Sequence, residues 1–390
     1  MSNEPRARFT RVVISNYRSI GTDVSIALGD FTALVGTNGA GKSNVADVFR
    51  FLADALNDGL ENAVEKRHGF DAISRVVDGK RSTIRLMFEL TAPSWKGNYE
   101  FVLAPRGRKG DNHFIVASES MQMQLVDGST TYRFETRNGK VTQALLGLDR
   151  PAIDRNSLTF PKIGGDERLA SFYAALRSAE VYSIFPDTLR EPHLPSQRPY
   201  MTKMGDNWSS ILRRVMSTDA GLQLRMALAS VTGDVSDVKV ARAGGGYLMV
   251  QFCHSGFGGR SDWRDAADES DGTLRVAGMI TALLQDPALT LTAVEEPELT
   301  VHAGMIPLLF DYLMEASHAT QVLVTTHSPD LLDLVPIEGV RVVQRVGGVT
   351  TVSPLEEHQR RLVKENLTTV GELLRTEGLL GIPTGVEEPQ

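Results

Sequence analysis

Apolar positions along the chain change period several times, and each change predicts an element. Val12, Val13 and Ile14 form a β-branched run, and Phe31–Val35 is an apolar run entering a glycine, as a buried strand does. After Lys42 the apolar residues Val45, Phe49, Leu52, Leu56 and Leu60 fall three or four apart, predicting a helix to about Gly59 with one buried face. From 80 to 145 the period drops to two. Ile84, Leu86, Phe88 and Leu90 alternate with other residues, as do Tyr99, Phe101 and Leu103. Met121–Val126 and Thr131–Phe134 flank Asp127-Gly128, a turn signal, so this segment reads as antiparallel β.

Residues 150–230 read as mainly helical, interrupted by a loop holding Pro186, Pro192, Pro195 and Pro199. Trp208, Ile211, Leu212, Val215 and Met216 have the spacing of a core-facing helix. Ser236–Ala241 and Tyr247–Cys253 flank Gly244-Gly245-Gly246 as a hairpin. Alternating α/β follows: a helix after Gly272, a strand at Leu289–Val294, a helix over 303–316, a strand at Gln321–Thr325 and a last helix near Leu367–Thr376. No repeat or sustained heptad pattern is present, and the prolines of 151–199 argue against long coiled-coil arms.

With 390 residues, 42% of them hydrophobic, the chain can bury a large core in two domains or in one with an insertion. The net charge of -7 gives no support for unaided coating of nucleic acid, although a local basic patch stays open. The single cysteine, Cys253, excludes an internal disulfide and reads as a buried thiol. No stretch approaches the ~20 apolar residues of a membrane helix, and MSNEPRARFTR has no apolar signal core, so a cytoplasmic protein without membrane contact is expected.

Four motifs carry chemistry. Gly36-Thr37-Asn38-Gly39-Ala40-Gly41-Lys42-Ser43 satisfies GxxxxGK[ST] between a strand and a helix. Glycines let several N–H groups converge on one phosphate, and the helix start adds its positive dipole end. Lys42 reaches the β and γ phosphates, and Ser43 holds Mg²⁺ through its hydroxyl. In LTLTAVEEPE, 289–298, an apolar strand delivers Glu295 and Glu296 to its C-terminal end. Adjacent strand residues point opposite ways, so one carboxylate serves the metal and the next polarises water; a solvated acidic turn is the plainer alternative. QVLVTTHSP, 321–329, ends a strand in His327, a phosphate sensor or a structural histidine. Glu269-Ser270-Asp271-Gly272-Thr273-Leu274-Arg275 opens a helix toward an anion, and an ordinary N-cap serine explains it equally well.

In this order the motifs resemble the ABC-type heads of RecF/SMC-like proteins, in particular the stand-alone AAA family ATPases of bacteria and archaea that look like an OLD-family head without Toprim. The opening Ile14-Ser15-Asn16-Tyr17-Arg18-Ser19 and GKSN at 41–44 share in the resemblance, which covers about 1–60 and 265–380. It implies ATP and Mg²⁺ as cofactors, with Asn44 joining residues 36–43 at the nucleotide. Glu295 would take the metal-side Walker B place, where many relatives carry aspartate, Glu296 that of the catalytic glutamate, and His327 that of the switch histidine. Ser270, Asp271 and Gly272 would be the signature, touching the γ-phosphate held by a second subunit. Glu298 to His302 falls where a D-loop is expected, with His302-Ala303 in place of the frequent His-Pro. Gln122, Gln124 and Gln143 are all open as the Q-loop glutamine.

The expected fold is an α/β ABC/SMC-like head with a mixed core sheet, an antiparallel β layer and an inserted helical lid. The expected divisions are 1–150, 151–235 and 236–390. The expected activity is ATP hydrolysis coupled to a homodimer, or a higher even-numbered assembly, sandwiching the nucleotide. The first role considered is DNA repair or defence against phage and plasmids, with a separate effector in trans and nucleic acid as an open partner. The second is a nucleotide-gated scaffold that regulates a partner enzyme with slow turnover. A transporter subunit is disfavoured, because ESDGT replaces LSGGQ and lies far from Ser43. No Glu followed by an Asp-x-Asp pair appears after Asp333, so no nuclease is expected within this sequence.

Overall fold

The computed structural model describes residues 6–107, 112–143, 154–255 and 261–382. Of the stretch read as helical from 150, residues 150–153 lie outside the described residues.

The strands that organise the fold are β1 Arg8–Ser15, β2 Val24–Ala27, β3 Phe31–Val35, β4 Ile84–Thr91, β5 Trp95–Pro105, β6 Phe114–Leu125, β7 Thr131–Arg137 and β8 Lys140–Gln143. They continue with β9 Ala179–Tyr182, β10 Val235–Arg242, β11 Leu248–Ser255, β12 Ser261–Asp265, β13 Leu291–Glu295, β14 Gln321–Thr326, β15 Val340–Val346 and β16 Val349–Ser353. The helices used below are α1 Lys42–Asn57, α2 Pro186–Arg190, α3 Trp208–Met216, α4 Ala220–Thr232, α5 Asp271–Leu284 and α6 Ile306–Ser317.

An antiparallel sheet runs in the order β8-β7-β6-β5-β4-β1-β2. The central sheet runs β9-β13-β14-β3-β15-β16, parallel except for β16. Helix α1 lies between them. Its buried Val45, Phe49, Leu52 and Leu56 share one core with Phe88 and Tyr99 of the antiparallel sheet and with Leu34, Ala293 and Leu323 of the central one. The opposite face of the central sheet carries Ala33, Val35, Val294, Val322 and Val324, which pack with α3, α4, α5 and α6 in a second core. A buried parallel sheet needs apolar residues on both faces, which is why β3, β13 and β14 read as continuous apolar runs.

The mixed sheet, the antiparallel layer and the helices inserted before β10 match the expected architecture. Three features depart from the periodicity reading. The segment taken as helical contributes β9, four residues that form an edge of the central sheet beside β13. No element is read from the pattern at 340–353, yet β15 and β16 form a hairpin there about Gly347-Gly348, both at positive φ. A three-stranded sheet, β10-β11-β12, adds a third strand to the expected hairpin and packs Val250 and Phe252 into the second core. Cys253 on β11 is buried. Among the described residues no helix is long and apolar enough to cross a membrane.

Candidate active site

The phosphate loop leaves the fully buried β3 at Val35 and enters α1 at Lys42. Two of its glycines are at positive φ, Gly39 at 77° and Gly41 at 110°, where an L side chain is strained. At Gly41 a Cβ would also collide with the Thr350 side chain. That threonine braces the loop from β16: its Oγ1 donates to the Ala40 carbonyl at 2.7 Å and meets Ser19 Oγ at 2.8 Å. Asn44 Nδ2 donates to the same Ser19 hydroxyl at 2.7 Å. Thr37, Asn38, Gly39 and Ser43 remain exposed at the rim. Lys42 is folded over the loop, donating to the Gly36 carbonyl at 2.7 Å and the Thr37 carbonyl at 3.2 Å. Burial lowers its pKa, while the charges of Glu296 and Glu298 pull in the opposite direction.

Those two carboxylates follow directly on the next-but-one strand, β13. β14 lies between β3 and β13, and the parallel registers pair Thr326 with Val35 and Glu295 with Thr325. The three strands therefore end together, and their C-terminal edge collects the phosphate loop, His327 and the glutamates. His327 Nδ1 is 3.4 Å from Glu296 Oε1. Glu295 turns elsewhere, with Oε2 at 3.7 Å from Lys203 Nζ. Their divergence does not come from strand alternation alone. The strand stops at Glu295, and Glu296 takes a left-handed φ of 47° while its N–H donates to the Thr325 carbonyl at 2.8 Å. Such a backbone is costly for a non-glycine residue and is held by its surroundings.

Two residues inside the motifs, given no role by the sequence reading, contribute nonetheless. Glu298 is buried; Thr326 Oγ1 donates to its Oε1 at 2.5 Å, while Oε2 is buried with no hydrogen-bond partner. The third glutamate of EEPE was the available signal. Arg275 on α5 is also buried. It donates to the carbonyls of Ile184 at 2.8 Å, Glu295 at 3.1 Å and Glu296 at 2.9 Å. Its guanidinium thus holds the backbone of both glutamates.

Ser270 caps α5 by accepting the Thr273 N–H at 3.1 Å, so the plain N-cap explanation is met. Ser270 and Asp271 are nevertheless exposed. A Cβ on Gly272 would lie 2.7 Å from the Thr300 carbonyl, so the helix start rests directly on the segment after EEPE. Among the described residues no hydrogen bond or ion pair joins 270–272 to 36–44. Gln122, Gln124 and Gln143 lie on β6 and β8, in the outer half of the antiparallel sheet, and none bonds to the loop.

The site fits a nucleoside triphosphate. It has a glycine cradle opening a 16-residue helix and a lysine poised on the loop's own carbonyls. A carboxylate oxygen left without a partner marks a place for a ligand within the acidic cluster. For Mg²⁺ the exposed Ser43 hydroxyl and the carboxylate of Glu295 are hard oxygen donors of the kind that ion takes, although here Glu295 is turned toward Lys203.

The family described as "AAA domain, putative AbiEii toxin, Type IV TA system" matches residues 31–109 and 232–333, the stretches that carry the phosphate loop and the other three motifs. Among solved structures the chain is similar to an Smc head bound to the C-terminal winged-helix domain of ScpA. That match has 14% identity, covers 90% of this chain and 99% of the other, and has a TM-score of 0.52. It is similar also to an Smc head with an extended coiled coil bound to the C-terminal domain of ScpA, derived from Pyrococcus furiosus. There the identity is 11%, the coverage 93% and 99%, and the TM-score 0.52. At such identities the likeness establishes fold alone, and the fold is that of an ABC/SMC-type head. No curated protein matches the chain.

Proposed function

We propose that this chain, which folds as an ABC/SMC-like ATPase head, binds ATP with Mg²⁺ and hydrolyses it in a site shared by two heads. The observation that carries the reading is the convergence of Lys42, Glu296 and His327 at the ends of three neighbouring strands, with Glu296 3.4 Å from His327. In this reading residues 36–44 hold the nucleotide, and Lys42 leaves its carbonyls for the β and γ phosphates. Ser43 and Glu295 hold Mg²⁺, whose contribution when bound is to neutralise phosphate charge. Glu296 orients or deprotonates the attacking water, and His327 stands beside it to stabilise the γ-phosphate. Ser270, Asp271 and Gly272 present the start of α5 to the phosphates of a second copy, so a homodimer, or a higher even-numbered assembly, completes the site.

We assign the head to 1–150 and 236–390, with 151–235 as the inserted lid. The larger role we propose is a nucleotide-driven dimer switch in DNA repair or in defence against phage and plasmids, in the cytoplasm, with an effector in trans.

The test mixes two inactive proteins, Lys42→Ala and Ser270→Arg. A mixed dimer holds one shared site carrying both lesions and one carrying neither. Recovery of ATPase activity on mixing is the expected result. Full activity of Ser270→Arg alone would sink the shared site.

A further inference from the structure

We infer that His254 and Arg190 are positioning residues for the signature serine, holding Ser270 in place for the partner's nucleotide rather than for the chain's own. The inference rests on the shared-site reading above and adds to it the contacts that hold the signature in place. Among the described residues Ser270 itself bonds only within its own helix turn. Its two neighbours are anchored from outside. Glu269 is buried, and its Oε1 lies 2.6 Å from His254 Nε2 on β11. His254 is buried as well, and its other nitrogen is 3.1 Å from Asp234 Oδ2, so one imidazole spans two carboxylates. From the opposite direction, Arg190 at the end of α2 donates to the Glu269 carbonyl at 3.0 Å and pairs with Asp271 at 2.5 Å. The residues before and after the serine are thus fixed by two elements, neither of which belongs to the phosphate-loop half.

A buried carboxylate such as Glu269 is stable there only with a close partner. Removing the imidazole leaves it to swing toward water, and the adjoining Ser270 must follow through one peptide link. Arg190 Nη2 donates to both the Glu269 carbonyl and Asp271 while Nη1 donates to Asp187 Oδ1 at 2.8 Å, so the planar guanidinium holds three oxygens in one fixed arrangement that a lysine point charge does not reproduce. Apart from the cap that Ser270 forms with Thr273, no other side-chain hydrogen bond braces residues 269–271 among the described residues. A serine that must meet a phosphate across a dimer interface needs such support, because a displacement of about 1 Å is enough to lose the contact.

The experiment extends the two-protein mixture. Lys42→Ala homodimers lack a working phosphate loop and Ser270→Arg homodimers lack a working signature, so only the mixed dimer turns over. Its one intact site uses the phosphate loop of the Ser270→Arg chain and the signature of the Lys42→Ala chain. His254→Gln placed on the Lys42→Ala chain should lower the recovered activity about tenfold or more. The same substitution on the Ser270→Arg chain should leave it within about twofold. Arg190→Gln should show the same asymmetry, and Arg190→Lys should restore less than half of the loss. Thermal melting of each double variant shows whether it is folded. Equal loss in both placements would mean a general structural role and overturn the inference, and so would no loss in either. Failure of the parent mixture to recover would instead remove the shared site itself, and the inference with it.

Discussion

Glu295 and Glu296 are neighbours in sequence and part company in space, one toward Lys203 and the other toward His327. That separation gives each carboxylate its own expected phenotype. Glu296→Gln keeps the shape of the side chain and removes the proposed base, so ATP affinity should persist while steady-state turnover falls by about 10²–10⁴-fold. Glu295→Gln should raise the Mg²⁺ concentration needed for half-maximal rate; if it alone abolishes turnover, the two roles are exchanged. Lys42→Ala removes a cation from phosphates, a charge-assisted contact worth about 1.5–3 kcal/mol, so calorimetry should record at least a tenfold loss of ATP affinity. Unchanged affinity would place the nucleotide elsewhere. The phosphate loop was legible because GxxxxGK[ST] is specific. Arg275 was not, because its three bonds go to backbone carbonyls, which leave no mark in a sequence.

Helices with a strong period were read nearly to their ends, the strand read as Met121–Val126 begins seven residues earlier at Phe114, and elements set by distant partners were missed. Helix α3 shows the first case. Trp208 is fully buried, its indole N–H donates to Thr281 Oγ1 on α5 at 3.0 Å, and its ring stacks on Phe252 of β11. It ties the lid helix to the helix that Ser270 caps. Trp208→Ala should cost about 3–5 kcal/mol in denaturant unfolding, and Trp208→Phe clearly less, since most of the packing volume is retained. A surface-like loss below 1 kcal/mol would contradict this packing. Strand β9 shows the second case: AEVY has no pattern of its own, and only the neighbouring β13 makes it a strand.

On the scale of the whole molecule, the two sheets press charge into the interface that α1 occupies. Glu180 on β9 is held there by burial with its pKa raised to about 7, only partly relieved by Arg50 at 3.9 Å. A folded-state carboxyl pKa above the unfolded one means that the native protein holds the extra proton. Its contribution is therefore most favourable below about pH 4.5 and is lost as pH rises toward 7. Glu180→Gln should remove that slope, gaining about 1–3 kcal/mol over wild type at pH 8 and little at pH 4. Equal melting shifts at both pH values would rule it out. ATP–Mg²⁺ should also raise the mass of Glu296→Gln toward an even-numbered assembly in sedimentation, and ADP should reverse it. Ser270→Arg added to that protein should abolish the rise. Motifs at both ends of the chain made the head recognisable, but the strand order was hidden, because β3 takes both its neighbours from far along the sequence. That order has a consequence for synthesis. A ribosome delivers β3 and its phosphate loop early, yet β14 and β15, which flank it, emerge only after residues 321 and 340. The antiparallel sheet can pair as it is made, whereas the nucleotide site has to wait, in a parallel topology that closes long loops and so folds slowly. Nascent chains stalled before residue 320 should gain no protease protection from ATP, and chains stalled with residue 353 clear of the exit tunnel should gain it.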